Sequence, residues 1–442
     1  MKTASISGSH REILQITLPS ILSNITVPLL SLVDLTIVGH LGSAVYIGAI
    51  AIGGTMFNMI YWIFAFLRMG TTGITSQAYG SHRTEAEVST LYRSLTIALL
   101  LGLLLLLFQS QILRLALWIM EPTADVGKYA SLYFSICIWG APAMLAQYGF
   151  TGWFLGMQEA RYPLYIALFQ NIVNILCSLF FVFVSQLGVG GVALGTLIAQ
   201  YAGLFLALGL CRNLFRRKHL SGRCSLRMLS DRAALLQFFR VNRDIFLRTL
   251  CLVAVTLYFT SSGSRQGDLI LAVNVLLMQF FTLYSYFMDG LAFAAEALSG
   301  KYYGAGNTQR FHTTIRHLFL WGSAIAVLFT LIYIGGGEHF LSLLTNEPDV
   351  LSAARPYHFW TYLIPAAGLC AFVWDGVFIG ITATRQMLIS MFFAAVLFFT
   401  VYFSFEANWH NHALWAAFLV YLFSRGIIQT VLYRGTIKKK LE

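Results

Sequence analysis

The 442-residue chain is 58% hydrophobic and 11% charged, with 36 phenylalanines and a mean hydropathy of +0.72. Soluble domains carry about 25% charged residues, so a soluble enzyme or a nucleic-acid-binding domain is excluded, and the net charge of +11 reads as a topology signal. The six cysteines include no CxxC pair and suggest neither a disulfide framework nor a zinc site.

A helix crossing the hydrocarbon needs about 20 apolar residues, and polar punctuation divides the chain into twelve such stretches. They cover residues 13–38, 46–70, 91–113, 129–155, 163–185, 188–210, 244–262, 270–298, 313–334, 354–380, 387–405 and 411–432. The polar opening MKTASISGSHRE lacks the apolar core and cleavage site of a signal peptide.

The first span, within SNITVPLLSLVDLTIVGHLG, holds Pro28 and Asp34. An acid in hydrocarbon is costly unless it faces protein or water, so Asp34 is either satisfied by neighbouring polar groups or used in transport. It lies about 15 residues after Pro19, or about 22 Å along a helix, beyond the midplane towards the outside. Dry surroundings favour its neutral form and water its anion. Pro28 cannot donate the helical hydrogen bond and crowds the carbonyl of Asn24, so it marks either a static kink or a hinge for a proton-dependent bend.

In the fifth span Asn171, Asn174 and Ser178 form an uneven polar stripe, and Thr196 lies in the sixth. Cys211 to Asp244 then carries nine Lys or Arg against two Asp. Arg83, Arg161, Lys301, Arg310, Arg385 and Lys438–Lys440 fall on the same side, while the opposite loops are acidic or neutral. Both termini and the central loop are therefore expected in the cytoplasm. In the second half, Asp289 and Glu296 share a face of the eighth span and Asp375 lies in the tenth. Arg248 in the seventh span is the expected partner of Asp289. These four residues form either a structural pair or a second site for a cationic substrate or coupling ion. The aromatics Tyr148, Trp153, Phe154, Tyr284 and Trp374 serve either a substrate cleft or the packed core.

A shift of 224 residues superposes GWFLGMQEAR at 152–161 on GVFIGITATR at 376–385, and Gln77–Gly80 on Lys301–Gly304. Each half then has six spans, related by an axis along the membrane normal. The expected organisation is an amino-terminal six-helix lobe at 1–210, a basic cytoplasmic linker at 211–243 and a carboxy-terminal six-helix lobe at 244–442. No Walker phosphate loop is present, which argues against an ATP-driven pump, and no hydrolytic motif indicates an enzyme.

This repeat, with VDLTIVGHLG, TTGITSQAYG, GMQEARYPLYIALFQNIVNILCSLFF and LGVGGVALGTLIAQ, resembles the multidrug and toxic compound extrusion (MATE) transporters, in their branch related to the DNA-damage-inducible F protein. The likeness extends over essentially the whole chain. It implies an all-α membrane protein of twelve helices in two pseudo-symmetric lobes forming a V, with efflux driven by inward proton or sodium flow. It also implies that Asp34, Asn174 and Thr196 belong to the coupling site of the amino-terminal lobe. Some archaeal relatives have a second acid where this chain has Ser178. One carboxylate suffices for a proton, whereas a hard cation wants several oxygens and compensating charge, so H+ is the expected coupling ion and Na+, alone or mixed, the alternative. The tenth-span acid of the sodium-coupled branch aligns near Gly368, so that site is not transferred to Asp375.

The resulting expectation is a monomeric, multi-pass antiporter of the bacterial inner membrane. It would exchange amphipathic, often cationic, organic compounds or drugs for protons, with membrane lipids around it and no nucleic acid, cofactor or bound metal. A flippase for lipid-linked precursors, and a non-transporting receptor or structural membrane protein, are the other readings.

Overall fold

The computed structural model describes residues 2–39, 43–220 and 231–437, which are helical apart from short turns. The first half contains α1 (Lys2–Gly39), α2 (Ala44–Phe64), α3 (Phe66–Gly80), α4 (Thr84–Leu107), α5 (Gln109–Met120), α6 (Ala124–Cys137), α7 (Ala141–Gly156), α8 (Arg161–Leu179) and α9 (Gly188–Arg217). The second contains α10 (Arg232–Arg265), α11 (Asp268–Gly304), α12 (Thr308–Leu344), α13 (Pro348–Ala354), α14 (His358–Gly380), α15 (Thr384–Trp409) and α16 (Asn411–Leu432). Among the described residues, eleven helical stretches are long and apolar enough to cross a membrane. Together with α1 they account for the twelve expected spans, the one expected at 91–113 running on past Leu107 into α5; several join two helices through a single residue or a short 3₁₀ turn.

Two compact units result, Met1–Ile21 with Phe239–Glu442, and Leu22–Phe238. These limits differ from the boundaries drawn from charge, because the chain leaves one unit for the other inside α1 and again inside α10. Both ends of the basic linker expected at 211–243 are helical. Helix α9 continues to Arg217 and α10 begins at Arg232, with 221–230 outside the described residues. Cations in the last turn of a helix suit its dipole, so Arg216 and Arg217 extend α9 where hydropathy alone stops it.

The internal repeat reappears in backbone geometry. Helix α7 ends with Glu159 N–H on the Phe154 carbonyl and Gln158 at φ +68°; α14 ends with Ala383 N–H on the Phe378 carbonyl and Thr382 at φ +54°. His82 after α3 and Gly306 after α11 form another pair of left-handed caps at the same offset. The glycines agree. A methyl group at Gly156 of α7 would stand 3.0 Å from the Ser76 amide of α3, and one at Gly380 of α14 would stand 2.9 Å from the Gly300 amide of α11. Small residues four apart let two helices approach to backbone contact in a membrane, where apolar side chains gain little from leaving lipid.

In the unit Leu22–Phe238, Ile37, Val38, Phe57, Tyr133, Phe134 and Val192 form one core cluster, and Leu91, Phe150, Trp153, Phe154 and Tyr162 another. Trp153 and Phe154 are therefore packed in the core. In the other unit Tyr284 is fully buried, its hydroxyl donating to the Pro365 carbonyl at 2.9 Å. The lower part of α1 is held within that unit, where Glu12 accepts from Tyr302 and lies 3.5 Å from the Lys301 ammonium. Apolar side chains such as Leu107, Phe205 and Val431 point outward, as expected of surfaces facing lipid.

Candidate functional site

Helices α8 and α9 pack closely because α9 presents Gly191 and Gly195. A Cβ at Gly195 would lie 2.8 Å from the Ser178 amide nitrogen, and one at Gly191 would lie 2.9 Å from the Phe181 carbonyl carbon. The latter contact falls on a π-helical turn, Phe180–Val184, that follows α8. Such turns recur where a helix is reshaped around a functional position.

This approach joins the amide and hydroxyl groups singled out in sequence. Asn174 Nδ2 donates to Thr196 Oγ1 at 3.0 Å, Ser178 Oγ donates to Asn174 Oδ1 at 3.4 Å, and Thr196 Oγ1 donates to the Val192 carbonyl at 3.1 Å. Asn174 and Ser178 are essentially inaccessible. Asn171 turns to α1, where its Nδ2 donates to the Thr26 carbonyl at 3.2 Å.

Asp34 is 7% exposed, and its Oδ1 is buried without a hydrogen-bond partner among the described residues. Asp34 lies within electrostatic reach of Tyr133 and Cys137 of α6, and Tyr133 lies near Thr196. Tyr133 thus lies in the same region of the unit as both Asp34 and Thr196. The residue reading missed both α6 side chains. Their spacing of one helical turn was the available signal, but in so aromatic a chain it does not stand out. Pro28 lies within α1, which runs unbroken through the position where a kink or hinge is expected.

In the second half Arg248 pairs with Asp375, whereas Asp289 was the expected partner. Arg248 Nη2 donates to Asp375 Oδ2, Arg425 Nη2 donates to the same oxygen at 2.7 Å, and Gln429 Nε2 donates to Oδ1 at 2.6 Å. Arg425 was missed because only the tertiary fold brings α16 beside α14. Asp289 acts electrostatically on Arg425 and Tyr286, and Glu296 is buried on α11. Among the described residues, no three His, Cys, Asp or Glu side chains are arranged to hold a metal.

The MatE family model matches residues 19–180 and 245–403, two segments related by nearly the same shift as the internal repeat. The DNA damage-inducible protein F of Escherichia coli (strain K12) is 37% identical over 432 residues, covering 98% of this chain and 93% of that protein. A probable multidrug resistance protein, NorM, of Thermotoga maritima is 20% identical over 359 residues, 78% of this chain and 74% of its own. A crystal structure of MATE in the bent conformation superposes with a TM-score of 0.88 at 19% identity, covering 98% of this chain and 97% of that one, which shows the shared fold. With both halves matched by the family model and a relative aligned almost end to end, the chain belongs to the MatE family and is a multi-pass membrane transporter.

Proposed function

We propose that the protein is a proton-coupled antiporter that exports amphipathic and often cationic organic compounds across the bacterial inner membrane, with both termini in the cytoplasm. The observation that carries this reading is the buried Asp34 oxygen without a hydrogen-bond partner among the described residues, in the same compact unit as the Asn174–Thr196–Ser178 network. An isolated carboxyl oxygen has room for a proton. Ser178, standing where some relatives have an acid, leaves too little negative charge for a tight sodium site. Water reaching Asp34 in one state and dry surroundings in the other would change its proton occupancy. Moving a two-state equilibrium from 1:99 to 99:1 takes about 5.5 kcal/mol of differential binding, so a proton bound a few kcal/mol more strongly in one state shifts the majority conformation. Pro28, six residues before Asp34, supplies a point on α1 where bending is cheaper. The drug-exporting substrate class follows the Thermotoga relative, a probable multidrug resistance protein, and the family.

Paired proton and substrate fluxes in proteoliposomes, with sodium varied independently, test the reading. Asp34→Asn is expected to abolish proton-driven efflux while leaving the protein folded. Retained proton-driven efflux in that variant, or normal transport driven by sodium alone, would overturn it.

A further inference from the structure

The cluster on Asp375 lies wholly within the unit containing 239–442 and has no part in the coupling scheme above. Its donors and acceptors do not balance. Two guanidiniums bring five N–H donors each, against about four lone-pair sites on one carboxylate. Each arginine reaches Asp375 through a single Nη2, and both converge on Oδ2. The Nε atoms of Arg248 and Arg425, and Gln429 Oε1, are buried without hydrogen-bond partners among the described residues. A pair serving only to tie helices together is satisfied by one arginine meeting one carboxylate fork to fork. Arg425 also meets the Tyr421 hydroxyl and the charge of Asp289, but the buried Nε donors of both arginines find no acceptor among the described residues, which costs desolvation unless a ligand accepts from the guanidiniums. The cluster also retains some exposure, with the side chains of Arg248, Asp375 and Arg425 10%, 9% and 4% accessible. Buried aromatic rings flank it: the Arg425 guanidinium lies 5.8 Å from the Phe372 ring centre and 6.0 Å from that of Tyr421.

We infer that Arg248, Arg425 and Gln429 form an anion subsite for the carboxylate of an amphipathic aromatic compound, and that Asp375 occupies its donors when no ligand is bound. The incoming carboxylate replaces Asp375 on the guanidiniums and the ring of the ligand lies against Phe372 and Tyr421. Asp289 acts on Arg425 and keeps the charge of the region near balance, so the ligand competes with Asp375 for donors rather than filling a positive hole. Removing the charge of Asp375 should therefore strengthen ligand binding, the opposite of what a purely structural ion pair predicts. The inference rests on the protein being a transporter and is independent of the role of Asp34.

The test is equilibrium binding of radiolabelled 2-naphthoate to the full-length protein in lipid nanodiscs, with its neutral methyl ester as a control for partition. Because no gradient is applied, failure of proton coupling leaves this measurement readable, and failure of this binding leaves coupling standing. Native protein is expected to bind the carboxylate saturably, Asp375→Asn about tenfold more tightly, and Arg425→Gln at least tenfold more weakly. Arg425→Lys, which keeps the charge that holds Asp375, is expected to weaken binding while preserving the unfolding temperature, so loss of fold is separated from loss of the site. The inference is overturned if native protein and Asp375→Asn bind the carboxylate no better than the ester, or if folded Arg425→Lys binds it as native protein does.

Discussion

Gly195→Ala tests whether the α8–α9 contact sets the geometry of the candidate coupling site. The added methyl would stand 2.8 Å from the Ser178 nitrogen and 3.0 Å from its Cα, and closer still to its Oγ. The hydroxyl can rotate, but the backbone atoms cannot, so the helices must separate by several tenths of an ångström. A displacement of about 0.5 Å takes the 3.0 Å Asn174–Thr196 bond to the limit of a useful hydrogen bond. Overpacking costs about 1–3 kcal/mol, and loss of the hydrogen bond about 1 kcal/mol. The better helix propensity of alanine returns about 1 kcal/mol, leaving a net destabilisation of about 1–3 kcal/mol. Thermal unfolding of the purified protein and proton-driven efflux in proteoliposomes should decline together. Adding Ser178→Ala should restore little, because the obstructing atoms belong to the backbone. Native stability and flux in Gly195→Ala, or full rescue by the second substitution, would refute the argument that backbone contact at Ser178 positions Asn174 and Thr196.

Two further predictions concern the carboxy-terminal half, and a third concerns a repeat counterpart in the amino-terminal half. Asn274 and Asn411 exchange amide hydrogen bonds at 2.8 and 2.9 Å, and Trp415 Nε1 donates to Asn274 Oδ1 at 2.9 Å. Asn274→Ala leaves the buried partner groups unsatisfied and should cost about 3 kcal/mol, read as a lower unfolding temperature and faster proteolysis; an unchanged temperature would show that water replaces the amide. Gly306 has φ +65° and open space around its Cα, so Gly306→Ala should cost about 1 kcal/mol through backbone strain alone. Its repeat counterpart His82 already bears that strain, and His82→Gly should shift stability in the opposite direction.

The membrane class, the twelve apolar stretches and the duplication were legible because each is written in local composition or in a constant offset. Hydrocarbon selects for apolar length irrespective of what a helix packs against, and the paired motifs preserve close contacts at Gly152, Gly156, Gly376 and Gly380. The amino-terminal polar set was equally readable, since Asp34, Asn174, Ser178 and Thr196 are costly residues in spans otherwise apolar. Tyr133 and Cys137 were not, because a buried tyrosine or cysteine looks like any other core residue until its neighbours are known.

Residue type and order by themselves determined that this is a duplicated membrane protein of the transporter kind, and which polar side chains had to be explained. The partners of those side chains were decided only by tertiary structure. Arg248 bonds Asp375, 127 positions away in the chain, with Arg425 sharing the same oxygen. Likewise α1 and α10 are divided between the two compact units although each is a continuous helix. The physical reason is range: hydropathy and helix formation act over one to a few turns, whereas ion pairing and packing depend on which faces meet once the helices assemble.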